Sequence, residues 1–254
     1  MTQTNLLKNL DLPKNGFTQE DVFTELHKER IDWEPSQVTK EEFSQNVEGL
    51  ESCFSRIIAI GLELELPVGS FIRAALEKVE DIPPTAIKGM VANIEDEQKH
   101  EVVFKNLSFA YGVNPQDSYT AKEFRKRIIQ YKFNPIAKTR DLESIIFLIV
   151  QGFLRVYGGQ NLERVVADIS HDELRHTNFG WELSTLLRIH RNKEFENLCT
   201  QAVNWCFNPL PRQLFAVWID MAEEIKEQGY SDNLHQMLNY GIHRAPFEIS
   251  NAAY

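Results

Sequence analysis

The sequence predicts an all-α protein, a four-helix bundle with additional N- and C-terminal helices. Three observations predict it. Apolar residues recur at the three-and-four spacing of a helix buried on one face, as in Phe43, Val47, Leu50, Phe54, Ile57, Ile58, Gly61 and Leu62. No segment reads convincingly as a strand. Two helical segments also carry the same signature, Asp96-Glu97-Gln98-Lys99-His100 and Asp172-Glu173-Leu174-Arg175-His176.

The elements follow in order. Residues 1–16 are polar, contain Pro13 and Gly16, and are expected to be irregular. Thr18 starts a short helix over 19–30, and Trp33 and Pro35 lie in a connector. Thr39 with Glu42 is a capping box that opens the next helix. Pro67 is expected to kink or interrupt that helix. Asp81-Ile82-Pro83-Pro84 breaks the chain before the first signature helix, 85–111, which Gly112 ends. Thr120 and Glu123 read as a capping box for a short basic helix. A helix over 141–157 follows Pro135, and Gly158-Gly159 make a tight turn. Asn161 caps the second signature helix, to about 191. Helices over 193–207, 213–228 and 232–240 complete the chain, and 245–254 is expected to be extended. No linker divides it, so 1–254 reads as one domain, with a bundle core at about 43–190 and accessory helices at 193–243.

On a helix, residues three apart share a face. Glu97 and His100 therefore point the same way, as do Glu173 and His176. A carboxylate beside an imidazole is a two-tooth clamp for iron or manganese. With Glu at roughly a tenth of positions, about 0.7 of the chain's seven histidines would have Glu three residues earlier by chance. Two such pairs, both preceded by Asp on apolar-backed helices, exceed that expectation. Two clamps on facing helices, with one carboxylate from each of two further helices, make a dinuclear site.

The turn near 158–159 puts the mirror position of Glu173 near 144, where Glu143 stands, with Asp141 as fallback. In the first pair the candidates are Glu65 and Glu63. The face of Glu65 carries Phe54, Ile58, Gly61, Leu62, Val68, Gly69 and Ile72 and is drier, so Glu65 is preferred. A buried carboxylate there needs a compensating charge. The two spans are then 32 residues (65 to 97) and 30 residues (143 to 173). One metal takes Glu65, Glu97 and His100, the other Glu143, Glu173 and His176, and Glu97 and Glu173 can bridge. Two divalent cations balance the four carboxylates, which would otherwise repel one another and raise their pKa values.

The net charge of −10 argues against nucleic acid or an anionic membrane as the main partner. Cys53, Cys199 and Cys206 are odd in number and lack Cys-x-x-Cys spacing, which suits a reducing compartment. The N-terminus has no signal-peptide pattern, and the longest apolar stretch, 145–156, is too short to span a bilayer. The cytoplasm is the expected location.

Over about 43–190 the chain resembles ferritin-like and ribonucleotide-reductase-like proteins. The form at 172–176 is similar to the second metal motif of bacterial multicomponent diiron monooxygenases and to the Asp-Glu-x-x-His motif of reductase small subunits. That resemblance implies a ferritin-like bundle in which Asp96 and Asp172 hydrogen-bond metal-bound histidines, each for the other clamp, with Arg175 in the same network. There are departures. Phe104 stands where many reductase subunits have a radical-forming tyrosine. Ile169 stands where arylamine N-oxygenases have an extra histidine, and His171 is expected on the exposed face. Phe147 stands where the monooxygenases tend to have Thr.

The expected function is a diiron oxygenase that uses O2 to hydroxylate or N-oxygenate a small organic substrate. An external electron donor and a homodimeric assembly are also expected. Gly61 and Gly69 would open space beside Glu65, lined by Phe104, Phe147, Val150 and Gln151; ordinary core packing is the alternative. The other functions considered are a reductase-like radical subunit with an Fe/Fe or Mn/Fe pair, an iron-binding ferritin-like protein, and a metal-free structural bundle.

Overall fold

The computed structural model describes residues 18–35, 49–157 and 159–208. Among these residues every regular element is helical: α1 (Gln19–Lys28), α2 (Glu51–Lys78), α3 (Pro84–Tyr111), α4 (Pro115–Gln130), α5 (Pro135–Leu142), a π-helical turn (Glu143–Phe147), α6 (Leu148–Tyr157), α7 (Gly159–Leu186) and α8 (Lys193–Phe207). The expected start at Thr39, the irregular start at 1–16, the helices over 213–228 and 232–240 and the extended end lie outside the described residues.

The bundle is α2, α3, the α5–π–α6 rod and α7. α2 packs along α3, the third rod along α7, and the two pairs meet through α2 with α5 and α3 with α7. This is a ferritin-like arrangement, with α4 as the crossover between the pairs. α1 covers α3 and α7, and α8 covers the π turn, α2 and α5. α2 is thus enclosed on almost every side. Its Ile57, Ile58, Ile60, Leu64 and Val68 are each fully buried, and each contributes about 1.5–3 kcal/mol relative to exposure. Phe54 of α2, Phe153 of α6 and Phe207 of α8 join in one aromatic contact chain, with centroids 5.5 and 5.1 Å apart. The three cysteines are buried and free. No helix among the described residues is long and apolar enough to cross a membrane.

Caps explain the ends, and several differ from the expectations above. Thr18 and Asp21 form a reciprocal capping box on α1. Pro67 lies inside α2 without interrupting it, because packing on several sides outweighs one lost backbone hydrogen bond. α4 begins at Pro115, capped by Asn114. Thr120 is interior to it and donates to the Gln116 carbonyl at 3.0 Å. The third rod begins at Pro135, where the Asn134 side chain accepts two backbone N–H groups. Pro at the first helical position gives up a donor that has no partner there anyway. α7 starts at Gly159, so Asn161 is not its cap, and it ends at Leu186.

Candidate metal centre

The bundle brings six predicted side chains to one interior point: Glu65 from α2, Glu97 and His100 from α3, Glu143 from the π turn, and Glu173 and His176 from α7. None is more than 4% exposed. His100 Nδ1 lies 3.2 Å from Glu173, 3.6 Å from Glu65 and 3.8 Å from Glu97. His176 Nδ1 lies 3.0 Å from Glu97 and 3.7 Å from Glu143. The imidazole centroids are 5.7 Å apart.

The atoms sort into two overlapping groups, each within 4.8 Å: Glu65, Glu97, His100 and Glu173, and Glu97, Glu143 and His176. Glu97 belongs to both. The expected split, with Glu173 beside His176, is therefore replaced by a crossed one, in which each clamp's glutamate lies nearer the other clamp's histidine. A glutamate is long enough to lean across to the facing helix.

These groups are able to bind two metal ions, and the unpaired atoms test the fit. Both carboxylate oxygens of Glu65, Glu97, Glu143 and Glu173, and Nδ1 of both histidines, are buried with no hydrogen-bond partner. Leaving one buried polar atom unpaired costs about 1–3 kcal/mol, and more if it is charged. A pair of cations would satisfy all of them together, and oxygen plus imidazole donors suit iron and manganese.

Without cations, burial and then mutual repulsion push Glu97 up to about 8 and Glu65 and Glu143 well above the ordinary carboxylate range. Burial opposes charge on His100, but Asp172, Glu173 and Glu65 outweigh it and raise its pKa. Burial and the Arg175 charge lower that of His176.

The outward nitrogens of the histidines have partners. With Nδ1 turned to the carboxylates, Nε2 of His100 can donate to Asp172, whereas Nε2 of His176 faces the Arg175 guanidinium at 2.9 Å as well as Asp96. His100 Nε2 is 3.3 Å from Asp172, which also accepts the Trp33 indole N–H at 2.8 Å. The Trp33 ring lies 6.0 Å from the His100 ring at 20°. His176 Nε2 is 3.4 Å from Asp96, which accepts from Arg30 at 2.8 and 3.0 Å and from Arg175. Arg175 also donates to Asn93 at 2.7 Å. Each aspartate thus serves the histidine of the other clamp. Burial would raise the Asp96 pKa, but His176, Arg30 and Arg175 hold it well below the usual range.

Trp33, Arg30 and Asn93 escaped the sequence reading. Trp33 stands in a connector 139 residues from Asp172, and no local pattern marks it.

The alternative carboxylates are engaged elsewhere. Glu63 pairs with Arg125 of α4 at 3.2 Å. Asp141 pairs with Arg140 at 2.7 Å. His171 is half-buried rather than exposed, its Nε2 2.9 Å from the Glu29 carbonyl, because α1 covers that face of α7.

The space expected beside Gly61 is filled. A Cβ there would lie 2.1 Å from the Phe104 ring, so the glycine admits Phe104 and not a substrate. At Gly69 a Cβ would meet only ordinary contacts at 3.7 Å. Phe147 and Val150 are fully buried in the core, and Gln151 is buried with both amide atoms unpartnered. A small cavity lies elsewhere, beside His176.

No protein-family model matches the chain, and no curated protein matches it. Among solved structures it is similar to R2-like ligand-binding oxidases. A point mutant with an aerobically reconstituted Mn/Fe cofactor has a TM-score of 0.48 at 14% identity, with 91% of this chain and 93% of that one covered. A long-soak form with the same kind of cofactor scores 0.46 at 12% identity, covering 91% and 92%.

Proposed function

We propose that this protein is a dinuclear iron oxygenase or oxidase that uses O2 to oxidise a small organic substrate. The observation that carries the proposal is the set of buried ligand-type atoms on four rods, all facing inward without partners. When bound, a redox-active cation pair would supply the electrons that reduce O2. An Fe/Fe pair is the first assignment, and an Mn/Fe pair is compatible with the same donors.

The chain's own residues do the rest. Glu65, Glu97, His100 and Glu173 would hold one ion, and Glu97, Glu143 and His176 the other. Asp172 and Asp96 fix the imidazole orientations, and Arg30 and Arg175 balance the charge of Asp96. Phe104, Phe147, Val150 and Ile146 are each fully buried and belong to the same apolar core. A small-molecule substrate, an external electron donor, a cytoplasmic location and a homodimer belong to the same proposal. Three buried free cysteines support a reducing compartment.

Metal analysis of anaerobically purified protein, followed by optical spectra on O2 exposure, tests it. Two metal ions per chain and an O2-dependent spectral change are expected. A Glu97→Ala variant that kept full iron and oxidase activity would overturn the assignment.

A further inference from the structure

The cavity beside His176 has a volume of about 20 Å³. That is a little more than the ~10–15 Å³ that one water-sized probe occupies. All four bundle rods line it: α2 with Ile72 and Ala75, α3 with Met90, α5 with Thr139, and α7 with His176 and Phe179. The lining is mostly apolar. A trapped water needs two to four polar partners, and here the Asn93 side-chain amide oxygen already accepts from Arg175. Thr139 Oγ1 is buried without any partner, while the unpartnered His176 Nδ1 is turned to the carboxylates of the metal centre. An apolar chamber of this size suits a diatomic gas better than water or an organic substrate. The opposite approach, along Gly61, is stopped by the Phe104 ring.

We propose that this cavity is the seat from which dioxygen reaches the metal centre, on the His176 side, with Ala75 and Ile72 setting its size. The inference rests on the function proposed above. Its first test needs no metal. Crystals of the metal-free protein under xenon pressure should show xenon between Ala75, Met90 and Phe179, and Ala75→Val should abolish it.

The second test uses the Fe(II)-loaded protein mixed with O2 in a stopped-flow instrument. Ala75→Val should slow the bimolecular oxidation at least about tenfold with Fe(II) binding unchanged. Ile72→Val, a milder change that enlarges the chamber, should match or exceed the wild-type rate and should bind xenon. Xenon absent from the wild-type cavity, or equal oxidation rates in the wild type and Ala75→Val, overturns this inference alone. If Ala75→Val does not fold, a slower rate in Ile72→Val overturns it. Iron-loaded wild type that never reacts with O2 overturns the functional reading and this inference with it.

Discussion

Replacing Glu97 by Gln should stabilise the metal-free protein while weakening its hold on metal. The substitution keeps the volume of the side chain and replaces one of four buried carboxyl groups by a neutral amide. Burial and Glu173 push the Glu97 carboxyl up to about 8 from its ordinary 4.5. Because the folded pKa is raised, the native state binds the proton more tightly than the unfolded chain does. The resulting stability is fully present below pH 4.5 and is lost as pH rises toward 8. At pH 7 the loss spans about 2.5 pH units at 1.36 kcal/mol each, or about 3 kcal/mol. Glutamine, neutral throughout, does not suffer it. The raised pKa values of Glu65, Glu143 and His100 act in the same direction, and the lowered value of His176 opposes them.

Urea denaturation in the presence of a chelator is the assay. The stability gap between variant and wild type should be under about 1 kcal/mol at pH 5 and about 3 at pH 7. At pH 7 the midpoint of thermal unfolding should rise by roughly 6–12 °C. Adding Fe(II) or Mn(II) anaerobically should stabilise the wild type far more than the variant, since Glu97 belongs to both ligand groups. A variant less stable than wild type without metal, or a gap that does not change between pH 5 and pH 7, would refute the reasoning.

Three further outcomes are expected. Trp33→Phe keeps a ring against His100 but removes the N–H that Asp172 accepts; metal affinity by chelator competition should fall about 10–100-fold, and an unchanged affinity would show that this bond is idle. Arg175→Met leaves Asp96 with Arg30 and His176 and the Asn93 side-chain amide oxygen without the Arg175 donor, so unfolding free energy should drop by about 3–5 kcal/mol; a drop below about 1 would contradict the network. Gly61→Ala drives a Cβ into the Phe104 ring and should cost about 1–3 kcal/mol by overpacking. Adding Phe104→Leu should recover most of that cost, and a variant that is neutral without the second change would mean the ring moves freely.

The helices and the meeting of the two Glu-x-x-His pairs were legible because both depend on period alone. A helix that must bury one face puts residues three apart side by side, and an apolar stripe behind them turns them inward. Glu63 and Glu65, two apart, face nearly opposite ways on α2: Glu65 gathers with Glu97, His100 and Glu173, and Glu63 meets Arg125. Helix starts were less legible. Thr120 and Glu123 look like a capping box but lie inside α4, because Asn114 and Pro115 start that helix earlier. The π turn at Glu143 has no signature that periodicity can detect.

What the chain's own order of residues determined, then, is the bundle and the inward face of each rod. Only the tertiary structure decided the crossing of the clamps, the binding of Trp33 to Asp172 and of Arg30 to Asp96, and the filling of the Gly61 gap by Phe104. The same holds for the chamber at His176. Those features depend on how far separate rods approach one another and on which side chains occupy the volume between them. Period and spacing describe one helix at a time, whereas packing is a property of several helices at once.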